Sequence, residues 1–306
     1  MIAEEYLFTD IEEYLYNNND LLIVGEEREE ERTSFFIDLW MKRNKNILQI
    51  VPDPNDGRIV EGRYYEESKI LFSEKVDVCT GLALILRNIQ VGFKNVLVDL
   101  SSLSHTVIMV LTKILMVQVV PKSLFASYIR PQYYHSQVED VGFSLCEKIL
   151  GVNSVPGFTK RESKNQTLCA FIGFEGVRLK SILESTYNVQ RFVPIVAFPS
   201  GSPQWFNITM WNSMDVLQSA DLNVTIYKCY SESIFEAINL LEKILKNDQK
   251  IVLAPLGTRP HSMASAIYAS KHSNVRIIYD YVVERECRTI GIGHITIYHL
   301  SSFLVT

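Results

Sequence analysis

The sequence predicts an α/β fold made of two halves that repeat one another, each a mainly parallel sheet flanked by helices. Three observations carry this expectation. Short apolar runs, too continuous for strands exposed on one face, alternate with segments of helical periodicity. The order of these segments is the same in both halves of the chain. Residues at corresponding places also coincide: Val96, Leu97, Leu100 and His105 recur, equally spaced, as Val252, Leu253, Leu256 and His261. Any two α/β segments can be slid into partial agreement, so the matched histidine and the matched order carry the weight.

In the first half, Asp20–Val24 reads as a buried strand and Thr33–Arg43 as a helix, with Phe35, Phe36, Leu39 and Trp40 at helical spacing. Asn46–Val51 is a second strand, stopped by the loop-forming run Pro52–Gly57. A helix over Val76–Asn88, a strand over Asn95–Asp99, a helix over Ser104–Leu115 and a fourth strand at Val117–Val120 complete it. In the second half, strands are expected at Leu168–Ile172, Val193–Phe198, Ile251–Ala254 and Val275–Ile278. Helices are expected at Leu179–Ser185, Ser231–Leu245 and Pro260–Lys271. Strands alternating with helices imply β-α-β units and a parallel sheet. The reading is two pseudo-repeated Rossmann-like halves, 1–150 and 165–306, with 151–164 as a linker rich in Pro and Gly. The alternating tail Gly293–His299 is expected on an edge or in a hairpin of the second sheet.

Composition bounds the function. The 306 residues, 47% apolar and 21% charged, make an ordinary globular balance with a net charge of −5. Strong non-specific nucleic-acid binders are usually basic, so nucleic acid is not favoured as a partner. The five cysteines show no metal-ligand spacing, so no zinc site is expected, and scattered thiols suit a reducing compartment. The acidic, Tyr-rich start lacks a secretory pattern, and the most apolar run, Thr106–Val120, is shorter than a membrane span. The expectation is a cytoplasmic protein with no membrane partner.

Ligands of open α/β sheets bind beyond the carboxyl ends of the strands. That rule singles out the strand-to-helix turns. In Pro255–His261, Gly257 lets a backbone approach a ligand, Thr258 and the Gly257 amide sit where a helix N-terminus attracts phosphate, and Arg259 adds a bidentate cation. Pro260 suits the first helical turn, and His261 lies just inside it. The loop reads equally as a helix cap with a glycine for the turn. Its counterpart is Asp99–His105. There Asp99 is a candidate base or ribose contact, Ser101, Ser102 and His105 are candidate ligand contacts, and Ser104 is foremost a cap. The first turns hold Glu29 and Arg32, and Glu175 and Arg178, each pair three residues apart; they read as ligand contacts or as plain helical pairs. Glu26 and Glu27 lie in a charge run that reads as a solvated face or, beside a strand end, as residues that hold a metal or meet a base edge. Trp205 is a candidate base-stacking residue or a loop anchor, and Arg130, Tyr133, Arg285 and Arg288 are candidates to line a phosphate-binding cleft between the halves. The full dinucleotide fingerprint G-x-G-x-x-G is absent, which argues against a conventional NAD dehydrogenase.

The strand–Gly…Glu…Arg–helix openings, Val98-Asp-Leu-Ser-Ser102 and Ala254-Pro-Leu-Gly-Thr-Arg-Pro-His261 resemble a loosely defined bacterial family of tandem Rossmann-like proteins, often encoded near antiphage defence genes. More generally the plan is similar to CARF-type sensor domains, in which paired Rossmann-like units hold a nucleotide signal. The resemblance implies the fold and a defence role and assigns no catalytic residue. The function expected is a nucleotide-binding sensor or accessory subunit, with its ligand in the cleft between the halves. One alternative is an enzyme acting on a nucleotide (a hydrolase, glycosidase or sugar transferase), with Asp99 or Glu27 as base and His261 as acid or phosphate contact. The other is an interaction subunit joined to a partner protein from the same operon, anchored by side chains such as Phe125, Trp205, Phe206 and Trp211. The cofactor is left open.

Overall fold

The computed structural model describes residues 4–27, 29–43, 45–53, 58–67, 69–90, 93–134, 146–161, 164–219, 224–284 and 288–304. It is an α/β structure with two mixed sheets and, among the described residues, eight α-helices. The chain divides into two compact units, residues 1–135 with 286–306, and residues 136–285.

The first unit holds β1 (Glu4–Leu7), α1 (Phe8–Asn18), β2 (Leu21–Val24), α2 (Glu31–Met41), β3 (Asn46–Pro52), β4 (Ile59–Glu66), β5 (Lys69–Asp77), α3 (Thr80–Gln90), β6 (Asn95–Asp99), α4 (His105–Lys113) and β7 (Ser123–Tyr134). The second holds β8 (Cys146–Ser154), β9 (Gln166–Ile172), α5 (Gly176–Ser185), β10 (Val189–Ala197), α6 (Pro203–Ser219), β11 (Tyr227–Cys229), α7 (Ile234–Ile244), β12 (Ile251–Pro255), α8 (Arg259–Lys271) and β13 (Val275–Glu284). The last strand, β14 (Thr289–His299), returns to the first unit.

The eight-stranded sheet runs β1-β14-β7-β6-β2-β3-β4-β5, and its centre, β7-β6-β2-β3, is parallel. The six-stranded sheet runs β11-β10-β9-β12-β13-β8 and is parallel from β11 to β13. With β11, a fifth parallel strand at the edge beyond β10, set aside, β3-β2-β6-β7 of the first sheet and β10-β9-β12-β13 of the second both follow, counted along the chain, the order second, first, third, fourth, so each has its topological switch point between first and third. In each unit an antiparallel strand flanks the fourth parallel one: β14 on β7, and β8 on β13.

Burial explains the central strands. All four residues of β2, all seven of β9 and all five of β12 are buried, because helices cover both faces. In the first unit Leu22, Val24, Ile47 and Leu97 pack with Phe36, Ile37 and Trp40 of α2 and with Leu15 and Tyr16 of α1. In the second, α8 is buried from Arg259 to Ala269.

Several elements depart from the sequence expectation. Val117–Val120 is not the fourth strand: Ile114–Val119 continues α4 as a π-helical turn ending at left-handed Val120, and β7 follows. An apolar run buried on all sides looks alike in either conformation. Residues 69–77 form a strand, so the helix expected from Val76 starts at Thr80. The expected linker begins inside β8. The tail strand pairs with β1 and β7 of the first sheet, not with the second, so the division of the chain differs from a simple halving. No helix among the described residues is long and apolar enough to cross a membrane.

Glycine permits the close contacts at the switch points. A Cβ on Gly25 would overlap the Ser102 carbonyl, and one on Gly173 would overlap the Leu256 carbonyl. Gly25→Ala and Gly173→Ala are therefore each expected to lower unfolding free energy by roughly 1–3 kcal/mol in urea titrations. Gly62→Ala, whose Cβ would only touch Ile85 Cδ1 at 3.5 Å, should cost much less.

Candidate functional site

At each switch point a glycine after the first parallel strand presses on the loop after the neighbouring strand, and the two loops differ in chemistry. In the first unit the loop after β6 closes on itself. Asp99 is buried, and its carboxylate accepts from Ser101 N at 3.1 Å, Ser102 N at 3.2 Å, Ser102 Oγ at 2.7 Å and Ser127 Oγ at 3.3 Å. Ser102 Oγ in turn accepts from Gly25 N at 2.9 Å, and Ser101 Oγ from Ile129 N at 2.7 Å. Burial pushes the Asp99 carboxyl above its ordinary range, and the bonds from Ser102, Ser101 and Ser127 pull it back. Ser104 caps α4, accepting from Val107 N at 3.4 Å, and half-buried His105 opens the helix. Asp99, Ser101 and Ser102, candidate base and ligand contacts, are thus hydrogen-bonded within the loop and to β7. Glu27, the other candidate base, is exposed in the turn after β2, as is Glu26.

In the second unit Pro255 stands where Asp99 stands in the first. The N-cap residue of α8, Thr258, makes no side-chain cap, and its Oγ1 donates to the Ser231 carbonyl at 2.6 Å. The α8 start is thereby hooked to the segment after β11. His261 repeats the hook: its Nε2 lies 3.0 Å from the Tyr230 carbonyl, which can only accept, so Nε2 carries the proton. Nδ1 is then a bare acceptor; it is buried and, among the described residues, without a partner. The ring is 1% exposed and stacks on Phe171 with centroids 4.5 Å apart. Burial pushes its pKa down to about 4, against the opposing Tyr230 hydrogen bond. A neutral imidazole with its proton committed offers a lone pair, so the role of general acid or phosphate donor does not fit it. Gly257 sits against this ring, where a Cβ would come within 2.9 Å of Nδ1.

Around the same loop, Glu232 is buried, Ser231 Oγ is buried without a partner, and Ser233 caps α7 by accepting from Glu236 N at 3.1 Å. Arg259 is 6% exposed, so it is part of the packed helix start and not a solvent-facing clamp. Trp205 lies half-buried in the first turn of α6, edge-on to Phe174 at 6.3 Å. The sequence alone groups Gly257, Thr258, Arg259 and His261, which lie at and just before the start of α8. It did not single out Glu232, and it took Ser231 as the first residue of a helix.

The Glu and Arg of the first turns have a different office. Glu175 is the N-cap residue of α5, and its Oε1 accepts from the backbone of Cys146, the first residue of β8, at 3.0 Å. Arg178 reaches Asp280 of β13 through two bonds of 2.6 and 2.8 Å, with Glu175 Oε2 at 3.6 Å. Burial opposes the Arg178 charge, but Tyr279, Asp280 and Glu175 more than offset that and hold the guanidinium cationic. In the first unit the partner of Arg32 is Glu30 and not Glu29, which is exposed. Glu30 is the N-cap residue of α2, its Oε1 accepts from Arg288 N at 3.0 Å, and its Oε2 accepts from Arg32 Nε at 3.0 Å and Thr289 Oγ1 at 2.6 Å. In both units a buried carboxylate at a helix start holds the strand beside the fourth parallel strand. Arg288 is spent there too, with Nε 3.7 Å from Glu30 Oε1. Arg130 and Tyr133 lie within β7, and Arg285 falls outside the described residues. Among the described residues, no group of three or more His, Cys, Asp or Glu side chains could hold a metal ion.

Two outcomes follow. Because the His261 pKa is lower folded than in the free side chain, the unfolded chain binds the extra proton between about pH 6.5 and 4. Stability contributed by neutral His261 is present above that window and lost as pH falls through it; His261→Gln, which keeps a donor for Tyr230, should flatten the decline of Tm with acid. Asp280→Asn removes one partner of a buried bidentate pair and should cost about 3–5 kcal/mol in denaturant melts. Compared with known proteins, no family model matches this chain and no curated protein matches its sequence.

Proposed function

We propose that this protein is a nucleotide-binding sensor or accessory subunit, taking a nucleotide or another phosphate-bearing small molecule at the strand ends of its second unit. One observation carries the reading. The start of α8 stands at a topological switch point with no side-chain cap, while the equivalent helix start of the first unit is capped by Ser104. Uncapped N–H groups and the helix dipole favour an anion there. Gly257 lets the His261 ring pack against the loop at the α8 start, and Trp205 with Phe174 supplies aromatic surface for a base. We read the two units as repeats of one Rossmann-like fold, on the shared strand order and the shared Glu–Arg clasp. On that reading the first copy of the site is filled by Asp99 and its serines, and the second is left for a ligand. The setting in bacterial defence rests on the resemblance of the strand-end motifs alone.

Catalysis at these loops has no observation in its favour, since Asp99 is bonded within its own loop and Glu27 is exposed. The test is thermal unfolding against mononucleotides, NAD, sugar nucleotides and cyclic oligonucleotides. A ligand at 100 times its Kd stabilises by about 2.7 kcal/mol, a shift of a few degrees. One class of compound should give that shift, Gly257→Ala should abolish it, and Ser104→Ala should lower Tm without changing it. No shift with any compound would overturn the binding reading in favour of an interaction subunit. A shift indifferent to Gly257→Ala would overturn the site.

A further inference from the structure

Among the described residues, strand β5 is the last strand of the eight-stranded sheet, hydrogen-bonded to β4 on one side only. At the opposite end of that sheet, β1 has four residues; β5 has nine, with neither Pro nor Gly among them. Lys69, Ile70, Leu71, Ser73, Glu74, Lys75 and Asp77 are all exposed, Ile70 at 58% and Leu71 at 54%. A long open edge of this kind is a template for another strand unless charge or proline blocks it. The charges of β5 do not block it. Two lysines, one glutamate and one aspartate leave the strand neutral in a chain of net charge −5.

We propose that β5 pairs antiparallel with β5 of a second copy of this chain, about a two-fold axis through Ser73. A two-fold axis perpendicular to a sheet preserves its faces, so it must pass through a residue of the strand. An axis at Glu74 or Lys75 would set two like charges directly opposite one another, which is destabilising. The axis at Ser73 opposes no like charges. It brings Lys69 of each copy to Asp77 of the other, and Leu71 to the aliphatic stem of Lys75. Asp77 is available as a carboxylate in that position while its Oδ1 accepts from the Cys79 and Thr80 amides at 3.0 and 2.7 Å. Lys75, whose Nζ lies 3.4 Å from Asp53, remains 68% exposed and free to move over Leu71. This inference does not depend on the ligand reading.

The test uses the full chain. Sedimentation equilibrium should give twice the chain mass at the higher concentrations. In a pair centred on Ser73 the two Cα atoms lie within disulfide reach, so Ser73→Cys should cross-link rapidly under mild oxidation. Lys69→Cys, which meets Asp77 of the other copy and not itself, should cross-link no faster than wild type. A single chain mass at every concentration would overturn the proposal. So would a dimer in which Ser73→Cys cross-links no faster than Lys69→Cys, since the copies would then meet through another surface.

Discussion

The carboxylate at the start of the first crossover helix is the interaction on which each unit depends. Glu30 and Glu175 are buried at the N-cap positions of α2 and α5, where a free acid would be costly. Each is made tolerable by an arginine of the following turn and by a backbone N–H from the strand flanking the sheet. The bond works in two directions. It fixes the helix over the sheet, and it fixes a strand far away in sequence, at Arg288 or Cys146, against the fourth parallel strand. With the helix set, the preceding glycine is pressed onto the neighbouring loop, Gly25 on Ser102 and Gly173 on Leu256. Each switch point thus combines a buried carboxylate at a helix start with a close glycine contact.

The loops at the two switch points differ in chemistry. Asp99 draws two serine amides and two hydroxyls inward and leaves nothing for a ligand to replace. Pro255 has no such capacity, and the next loop takes its hold elsewhere, through Thr258 and His261 on the carbonyls of Ser231 and Tyr230. The cost is a helix start without its own cap and an imidazole nitrogen without a partner. Buried polar groups are rarely left so unless something else satisfies them.

What could be read from the sequence follows from burial. The strands covered on both faces, β2, β6, β9 and β12, stand out as unbroken apolar runs and were placed well. The hairpin β4–β5 was missed because its residues alternate and lie half in solvent. The tail was assigned to the wrong sheet, since an alternating strand declares its two faces but not its neighbour. Of the run Glu26–Glu31, composition cannot say which glutamate turns inward; the cap position of α2 selects Glu30. Asp280 was legible in principle, a lone carboxylate among Ile278, Tyr279 and Tyr281 that needs a cation, and Arg178 is that cation. Thr258 and His261 were found as residues, but their partners sit on a loop that only the fold brings near.

The proposed difference between the switch points, the second open to a ligand and the first closed, has a direct test. Amide hydrogen exchange with and without nucleotides measures it most directly, because it reads both loops in one experiment. The account predicts slowed exchange across Gly257–Met263 and Tyr230–Ser233, with Ser101–Val107 unchanged. Protection of Ser101–Val107 with Gly257–Met263 unaffected would contradict it.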